Sequence, residues 1–366
     1  MLIVIPTFKR TESVQLVLKS LLRCTLPPAS EECRVAIVNN FPPNEQEINR
    51  IVMEIWHSSP QSLNWKLILI HREKTLPLID NWYGAIQSLA KENEIFVLQG
   101  DDDLFTKWSL VARYNAFSNT DADVLLTGTH SGLTFLEDEK LLHYPGPIPN
   151  KDIGSGHLVS IDFTNMEDYG PVFIGSQSYR YNQSFRNALD TVAKWTNQDL
   201  WIDHHHRTIM YALYVVIASI HLGARVKGLD SYCCIRGTSM QEKLYTPFNS
   251  SREANSGYLS LVMLRVFEND DLWPSRNELA RTITASEQSA ADWLLTNYLD
   301  ARVDLHIQRK LLKLRPVKIG ISNVVFGLRI ILQQHLRLKY IRLRLAILLH
   351  KGVYSAEEFI KALERA

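Results

Sequence analysis

A short apolar run that ends in three consecutive aspartates constrains this chain more than any other feature. Ile95–Leu98 is continuously apolar, and Gly100 separates it from Asp101, Asp102 and Asp103. An apolar run of this length, closed by a turn signal, predicts a strand buried on both faces of a sheet. Because adjacent carboxylates repel one another, their pKa values rise unless a cation lies among them. The alternative interpretation is a solvated acidic turn.

The position of the aspartates after a predicted strand suggests that they bind a metal ion. Carboxylate oxygens are hard ligands, and they suit a Mg²⁺ or Mn²⁺ ion that carries a phosphorylated substrate. In an open α/β sheet, ligands bind at the carboxyl ends of the strands. We therefore predict a site for a divalent ion and a phosphate at Asp101–Asp103, provided that the run before it belongs to such a sheet.

Three earlier apolar runs support an α/β fold. Leu2–Ile5, Arg34–Val38 and Trp65–Ile70 each read as a strand that ends in a polar loop. Helical patterns separate these runs, among them Glu45–Trp56. Strands that alternate with helices at this spacing are typical of βαβ units, so we expect a mostly parallel sheet flanked by helices.

Four motifs follow one another in this part of the chain, namely Val4–Arg10, Val38–Asn40, Asn81–Ala85 and Val97–Asp103. Together they resemble the family 2 glycosyltransferases, which have the Rossmann-like GT-A fold. Within that family the chain looks closest to bacterial enzymes that build surface polysaccharides, including the abequosyltransferase-like group. The resemblance covers about the first third of the chain closely and extends to about residue 235. It is a set of individually weak motifs in a specific order.

The resemblance implies roles for individual residues. The implied nucleotide-binding residues are Pro6, Thr7, Phe8, Arg10, Asn39, Asn40, Asn81, Asp101 and Asp102. Asp103 is implied as the metal ligand, with Asp101 beside it and towards the ribose. Asn39 or Asn40 stands where the family usually has an aspartate that touches the base. Structural alternatives are that Pro6 only ends a strand and that Asn81 only caps a helix.

An inverting transferase needs a carboxylate that accepts the proton of the acceptor hydroxyl. The polar cluster at residues 195–206 precedes an apolar helix, and a base at a helix start is the family arrangement. Asp203 is the first candidate, and Asp199 and Asp190 are the next. The alternative is that acidic residues at a helix start only interact with the helix dipole.

The resemblance thus implies a metal-dependent inverting glycosyltransferase. Its donor would be a nucleoside-diphosphate sugar and its cofactor Mn²⁺ or Mg²⁺. Its acceptor would be a saccharide, in particular a lipid-linked glycan of a bacterial surface polysaccharide. One alternative is a non-catalytic glycan-binding or scaffold protein with the same fold. A nucleotidyltransferase is less favoured, since the Gly-rich, Arg-containing loop of such enzymes is absent after the first strand.

Charge separates the C-terminal part from the rest. Residues 302–351 hold twelve Lys or Arg and a single acidic residue, Asp304, whereas the whole chain of 366 residues has a net charge of only +1. Basic residues mixed with Leu and Ile are typical of a helix on an anionic membrane surface. A helical packing domain or homodimer interface is the alternative, and nucleic-acid binding is not expected because no recognised module accompanies the charge.

We expect three regions: a GT-A domain at 1–236, a linker or mobile loop at 237–257, and a helical C-terminal domain at 258–366. The first region would divide into a nucleotide-binding half, 1–103, and an acceptor half, 104–236. Four cysteines form no C-x-x-C pair, which indicates a reducing compartment. No apolar stretch reaches the ~18 residues of a membrane span. We therefore expect a cytoplasmic protein, peripheral on the inner face of the cytoplasmic membrane.

Overall fold

The computed structural model describes most of the chain up to Ser239 and a short C-terminal part. The described residues are 1–28, 31–136, 141–145, 156–162, 165–169, 174–196, 204–239 and 338–365, with 321, 324, 325 and 328. Residues 237–239 of the expected linker belong to a strand instead. The rest of that linker and most of the expected C-terminal domain lie outside these ranges. The chain divides into two units, of which the first comprises Met1–Ala193, Tyr211–Met240 and Lys351–Ala366. The aspartates lie in this first unit.

Within the described residues, the strands form one 11-stranded sheet. They are β1 (Leu2–Thr7), β2 (Cys33–Asn39), β3 (Trp65–His71), β4 (Ile95–Leu98), β5 (Leu104–Phe105), β6 (Val124–Leu136), β7 (Leu141–His143), β8 (Leu158–Ser160), β9 (Gln177–Arg180), β10 (Val226–Ser239) and β11 (Val353–Ser355). The described α-helices are α1 (Thr11–Leu21), α2 (Glu45–Ser58), α3 (Leu78–Leu89), α4 (Ser109–Ser118), α5 (Gln183–Thr196), α6 (His204–His221), α7 (Leu338–Leu348) and α8 (Ala356–Arg365).

The N-terminal half of the sheet is parallel, with the strand order β4-β1-β2-β3. In the register of these strands, Thr7 pairs with Asn39 and Asn39 pairs with His71. The carboxyl ends of the strands therefore lie along one edge of the sheet. The predicted α/β class and the predicted parallel pairing are confirmed.

The other half of the sheet is mainly antiparallel. β9 pairs antiparallel with both β4 and β6, so it lies between them. β10 runs parallel to β6 and antiparallel to the two-residue strand β5. Because β5 follows directly after Asp103, this pairing brings the end of β10 beside the aspartates.

The core lies between the parallel strands and helices on one side of the sheet. Val14, Val17, Leu18 and Leu21 repeat at helical spacing on α1 and are fully buried. They belong to one apolar cluster with side chains of β1, β2, α2 and α8. At about 25 cal/mol per Å² of apolar surface, burial of each such side chain stabilises the fold by roughly 1.5–3 kcal/mol.

The end of the chain belongs to this core. Ser355 and Glu358 form a capping box, in which each backbone N–H at the start of α8 donates to the other residue's side chain at 2.8 and 3.3 Å. Ser355 and Glu358 also stand at capping-box spacing in the sequence. β11 pairs with β7, and Phe359 of α8 is fully buried in the cluster around α1. Residues 353–365 thus pack in the first unit, whereas we expected them in the C-terminal domain at 258–366.

Candidate active site

The three aspartates lie at the edge of the sheet where the parallel strands end. We call residues 99–103 the carboxylate turn. It follows β4 directly, and the backbone N–H of Gln99 donates to the carbonyl oxygen of Val4 in the neighbouring strand β1. The loop after β1 contacts the turn, since the backbone N–H of Phe8 donates to Oδ2 of Asp101 at 3.3 Å. The predicted position of the aspartates at the strand ends is thus the observed one.

Arg10 bridges two of the aspartates. Its Nη1 donates to Oδ1 of Asp101 at 3.2 Å and to Oδ2 of Asp102 at 2.8 Å. All three side chains are largely shielded from solvent, so this contact is screened less than a surface ion pair. Burial nevertheless raises the pKa of Asp101 to about 7, against the opposing effect of the Arg10 guanidinium.

Asp103 faces β10 instead. Its Oδ1 accepts a hydrogen bond of 2.9 Å from the backbone N–H of Gly237. Burial, followed by repulsion from Asp102, raises the pKa of Asp103 to about 7. Arg236 opposes this rise with its positive charge, and burial lowers the pKa of Arg236 itself. The carboxylate turn therefore interacts with two guanidinium groups, Arg10 of the loop after β1 and Arg236 of β10.

Gly237 is fitted closely against the turn. An ideal Cβ at this position would lie 1.8 Å from the carbonyl oxygen of Asp102. Only glycine allows the backbone of β10 to approach so closely. The place of Arg236 and Gly237 in the site could not be predicted from the sequence, because they lie more than 130 residues after the turn and carry no motif of their own.

The residues of the turn fit a divalent ion. Oδ1 of Asp102 and Oδ2 of Asp103 would lie 3.1 and 3.0 Å from an ideal Cβ at Gly100, so both oxygens face the space that this glycine leaves open. Next to Asp103, the Oε1 atom of the fully buried Gln99 accepts no hydrogen bond within the described part of the chain. Both observations describe oxygen atoms that a cation would satisfy.

Among the described residues, no group of three or more His, Cys, Asp or Glu side chains is arranged to hold a metal ion. A Mg²⁺ ion at the turn would need substrate phosphates and water besides one or two carboxylates, which is its usual coordination in proteins.

The asparagines at the strand ends are engaged by the protein. Asn39 is fully buried, its Oδ1 accepts the N–H of Phe41 at 3.0 Å and its Nδ2 donates to the carbonyl oxygen of Phe41 at 3.2 Å. Asn40 makes a matching pair of bonds, of 2.8 and 2.9 Å, to the backbone of Leu76. These amides hold the loops after β2 and before α3, and their predicted contact with a base stays a prediction.

Asn81 does not cap α3, because the helix begins three residues earlier, at Leu78. Its side chain is buried, and Oδ1 accepts a hydrogen bond of 2.9 Å from Nε of Arg72. Arg72 follows β3 at the same edge of the sheet. Likewise Pro6 does not end β1, which continues to Thr7, and both residues are buried.

An aromatic pair stands near the carboxylate turn. Phe8 is 42% exposed, and its ring packs edge-to-face against Phe41 with 5.4 Å between the ring centroids. The Nζ atom of Lys9 lies 5.0 and 4.8 Å from the two centroids. An exposed aromatic ring offers a stacking surface for a nucleobase.

The structure describes only one of the three candidates for the catalytic base, Asp190. Asp199 and Asp203 lie outside the described residues. Asp190 is exposed on α5. Among the described contacts, none joins Asp190 to the carboxylate turn. The choice among the three aspartates therefore stays a prediction.

No protein-family model matches the sequence, and no curated protein matches it. Solved structures match the chain at low identity and with TM-scores below 0.5. Staphylococcus aureus TarS with UDP-GlcNAc has a TM-score of 0.49 and 14% identity, over 85% of this chain and 78% of that one. A mannosyltransferase of Pyrobaculum calidifontis, with GDP-Man and Mn²⁺, has a TM-score of 0.45 and 10% identity, over 92% and 86%. The chain covers only 46% of a longer TarS structure, at a TM-score of 0.47 and 12% identity.

Among the described helices, none has both the length and the apolar character needed to cross a bilayer. α7, in the second unit, is basic and exposes apolar side chains. Ile341, Leu345 and Leu348 lie on one face of this helix at helical spacing, and they are 47%, 51% and 74% exposed.

Proposed function

We propose that this chain is a metal-dependent, inverting glycosyltransferase that uses a nucleoside-diphosphate sugar. The observation that carries the proposal is the carboxylate turn at the carboxyl ends of the parallel strands, in contact with the loop of Phe8 and Arg10. In an open α/β sheet, this edge is the binding place for a nucleotide. The motif resemblance to family 2 glycosyltransferases points to the same chemistry.

Each part of the site would have a separate task in this reaction. The ring of Phe8 would stack on the base, and Arg10 would bind the diphosphate. The carboxylates of the turn, Asp103 first among them, would hold Mn²⁺ or Mg²⁺, which supplies positive charge that stabilises the leaving diphosphate. Charge stabilisation of this kind is usually the largest contribution to catalysis by such a site.

A carboxylate of the chain would take the proton of the acceptor hydroxyl while that oxygen attacks the anomeric carbon from the face opposite the leaving group. Asp203 is the first candidate for this base, before Asp199 and Asp190. General-base catalysis of this kind contributes roughly 10²–10⁴-fold to the rate. The acceptor would be a saccharide, in particular a lipid-linked glycan of a bacterial surface polysaccharide. With such an acceptor, the enzyme would act at the cytoplasmic face of the membrane.

The basic segment 302–351 would hold the enzyme at that surface. The exposed apolar face of α7, beside Arg342 and Arg344, supports this part of the proposal, because interfacial helices combine these two properties. A homodimer interface is the alternative use of the same face. Sedimentation with phosphatidylcholine vesicles, with and without phosphatidylglycerol, separates the two, since only membrane binding depends on the anionic lipid.

The experiment that tests the activity begins with a thermal-shift panel of UDP, GDP, CDP and dTDP, each with and without Mn²⁺. We expect one nucleotide to raise the melting temperature, and more so with Mn²⁺. Release of that nucleoside diphosphate from its sugar conjugates is then measured for wild type, D101A and D103A. Both variants should stay folded and lose turnover. A chain that binds none of these nucleotides would instead be a non-catalytic glycan-binding or scaffold protein.

A further inference from the structure

Arg10 occupies the place where a cation would bind the carboxylate turn. Its Nη1 lies within hydrogen-bonding distance of one oxygen each of Asp101 and Asp102. Oδ2 of Asp101 already accepts the N–H of Phe8, and Oδ1 of Asp103 accepts the N–H of Gly237. The guanidinium thus binds two of the four carboxylate oxygens that the backbone does not bind, and Oδ1 of Asp102 and Oδ2 of Asp103 are the other two.

A guanidinium and a divalent ion compete for such a site. Both are positive, and at the low effective dielectric of a largely buried site their repulsion at a few ångströms is much stronger than in water. A divalent ion at the turn therefore favours withdrawal of the Arg10 side chain from Asp101 and Asp102. Withdrawal leaves the guanidinium without its two carboxylate partners, which is unfavourable unless another anion replaces them.

Arg10 is placed to find that anion. It directly precedes α1 and follows the exposed ring of Phe8, so its backbone lies where the loop after β1 meets the strand edge. A guanidinium has several N–H donors in a planar fork and binds phosphate oxygens in pairs. A diphosphate carried by the ion at the turn would lie within reach of the same side chain.

We propose that Arg10 is an exchangeable counter-ion, which neutralises Asp101 and Asp102 before the donor binds and moves to the diphosphate when a divalent ion binds the turn. This rests on the proposed function, since it requires a nucleoside diphosphate as ligand. The diphosphate gives Arg10 a new anionic partner when the ion displaces it, and the ion gives Asp101 and Asp102 a new cation when Arg10 moves to the diphosphate. The ion and the nucleoside diphosphate therefore bind cooperatively. By linkage, each raises the affinity of the other by the same factor.

The test measures Mn²⁺ affinity by electron paramagnetic resonance, first with Mn²⁺ alone and then with the nucleoside diphosphate that gives the largest thermal shift. In the wild type we expect the nucleotide to tighten Mn²⁺ binding roughly tenfold or more. Arg10→Gln should bind Mn²⁺ alone roughly tenfold more tightly than the wild type, bind the nucleotide more weakly, and show coupling of about twofold or less.

Lys9→Gln is the matched control. It removes one positive charge from the neighbouring residue, whose Nζ faces the rings of Phe8 and Phe41 rather than the carboxylates. At 0.15 M salt a general charge effect of this kind is largely screened, so its affinity for Mn²⁺ should change by about twofold or less. An effect of the control equal to that of Arg10→Gln would overturn the exchange.

The arm with Mn²⁺ alone needs no nucleotide, so it tests the competition between Arg10 and the ion even if the proposed function fails. Unchanged or weaker binding of Mn²⁺ by Arg10→Gln contradicts the inference. Failure of every nucleotide to bind the wild type contradicts the proposed function and the second half of the exchange. If Mn²⁺ and the nucleotide still bind to Arg10→Gln with the coupling seen in the wild type, the exchange is refuted but the proposed glycosyltransferase function is not.

Discussion

Replacement of Gly237 by alanine tests most directly whether β10 supports the carboxylate turn. An ideal Cβ at this position would lie 1.8 Å from the carbonyl oxygen of Asp102 and 2.7 Å from Cε2 of Phe135. Carbon atoms in contact normally lie about 3.5–4.0 Å apart. Since the nearer neighbour is backbone rather than a flexible side-chain end, β10 or the turn must move.

The expected cost has two parts. Forcing an extra carbon into a packed site costs about 1–3 kcal/mol. The movement also breaks the bond from the Gly237 N–H to the Asp103 carboxylate, and a hydrogen bond to a charged group contributes about 1.5–3 kcal/mol. We therefore expect the free energy of unfolding to fall by roughly 2.5–6 kcal/mol and the melting temperature by roughly 5–24 °C.

Urea unfolding followed by circular dichroism measures this change, and nucleotide binding is measured on the same preparations. Gly84→Ala is the matched control, because an ideal Cβ at Gly84 in α3 meets nothing within 4 Å. That variant should gain about 0.5–1 kcal/mol, as expected for a helical glycine replaced by alanine. If Gly237→Ala unfolds at the same urea concentration as the wild type and binds nucleotide equally, β10 does not support the turn.

Three further predictions concern pH and individual hydrogen bonds. The pKa values of Asp101 and Asp103 are raised to about 7 in the fold, against about 4 in the unfolded chain. Both carboxyls therefore stabilise the fold fully below about pH 4 and lose this contribution as the pH rises to about 7. Without metal, the melting temperature should be lower at pH 8 than at pH 5.5, and a D101N/D103N double variant should reduce this difference. Asn40→Ala removes two bonds to Leu76 and should cost about 1–3 kcal/mol in urea unfolding, with a higher KM for the donor; an unchanged KM would separate this loop from the site. Ser355→Ala should cost about 1 kcal/mol, and no change in the denaturation midpoint would show that the capping box contributes nothing.

The parallel half of the fold could be predicted because its information is local. Leu2–Ile5 and Ile95–Leu98 are continuous apolar runs closed by polar turns, and this pattern is typical of strands buried on both faces. A local pattern also indicates the start of α8, since Ser355 and Glu358 stand at capping-box spacing. Local patterns also placed the carboxylate turn at the end of β4.

The contacts of the site could not be predicted in the same way. Asn40 and Asn81 were expected to face a ligand or cap a helix, and the structure shows their side chains bonded to Leu76 and Arg72. Asparagine suits a ligand, a cap and a loop equally well, because its amide both donates and accepts. Only the path of the neighbouring loops decides among these uses.

The sequence by itself determined that three carboxylates end a buried strand of an α/β sheet. The tertiary structure decided what surrounds them: Arg10 pairs with Asp101 and Asp102, while β10 brings Arg236 and Gly237 to Asp103. The physical reason is that strand pairing follows the hydrophobic pattern, which is readable along the chain. The charge balance of a buried site depends instead on groups that meet only after β10 has paired with β5 and β6.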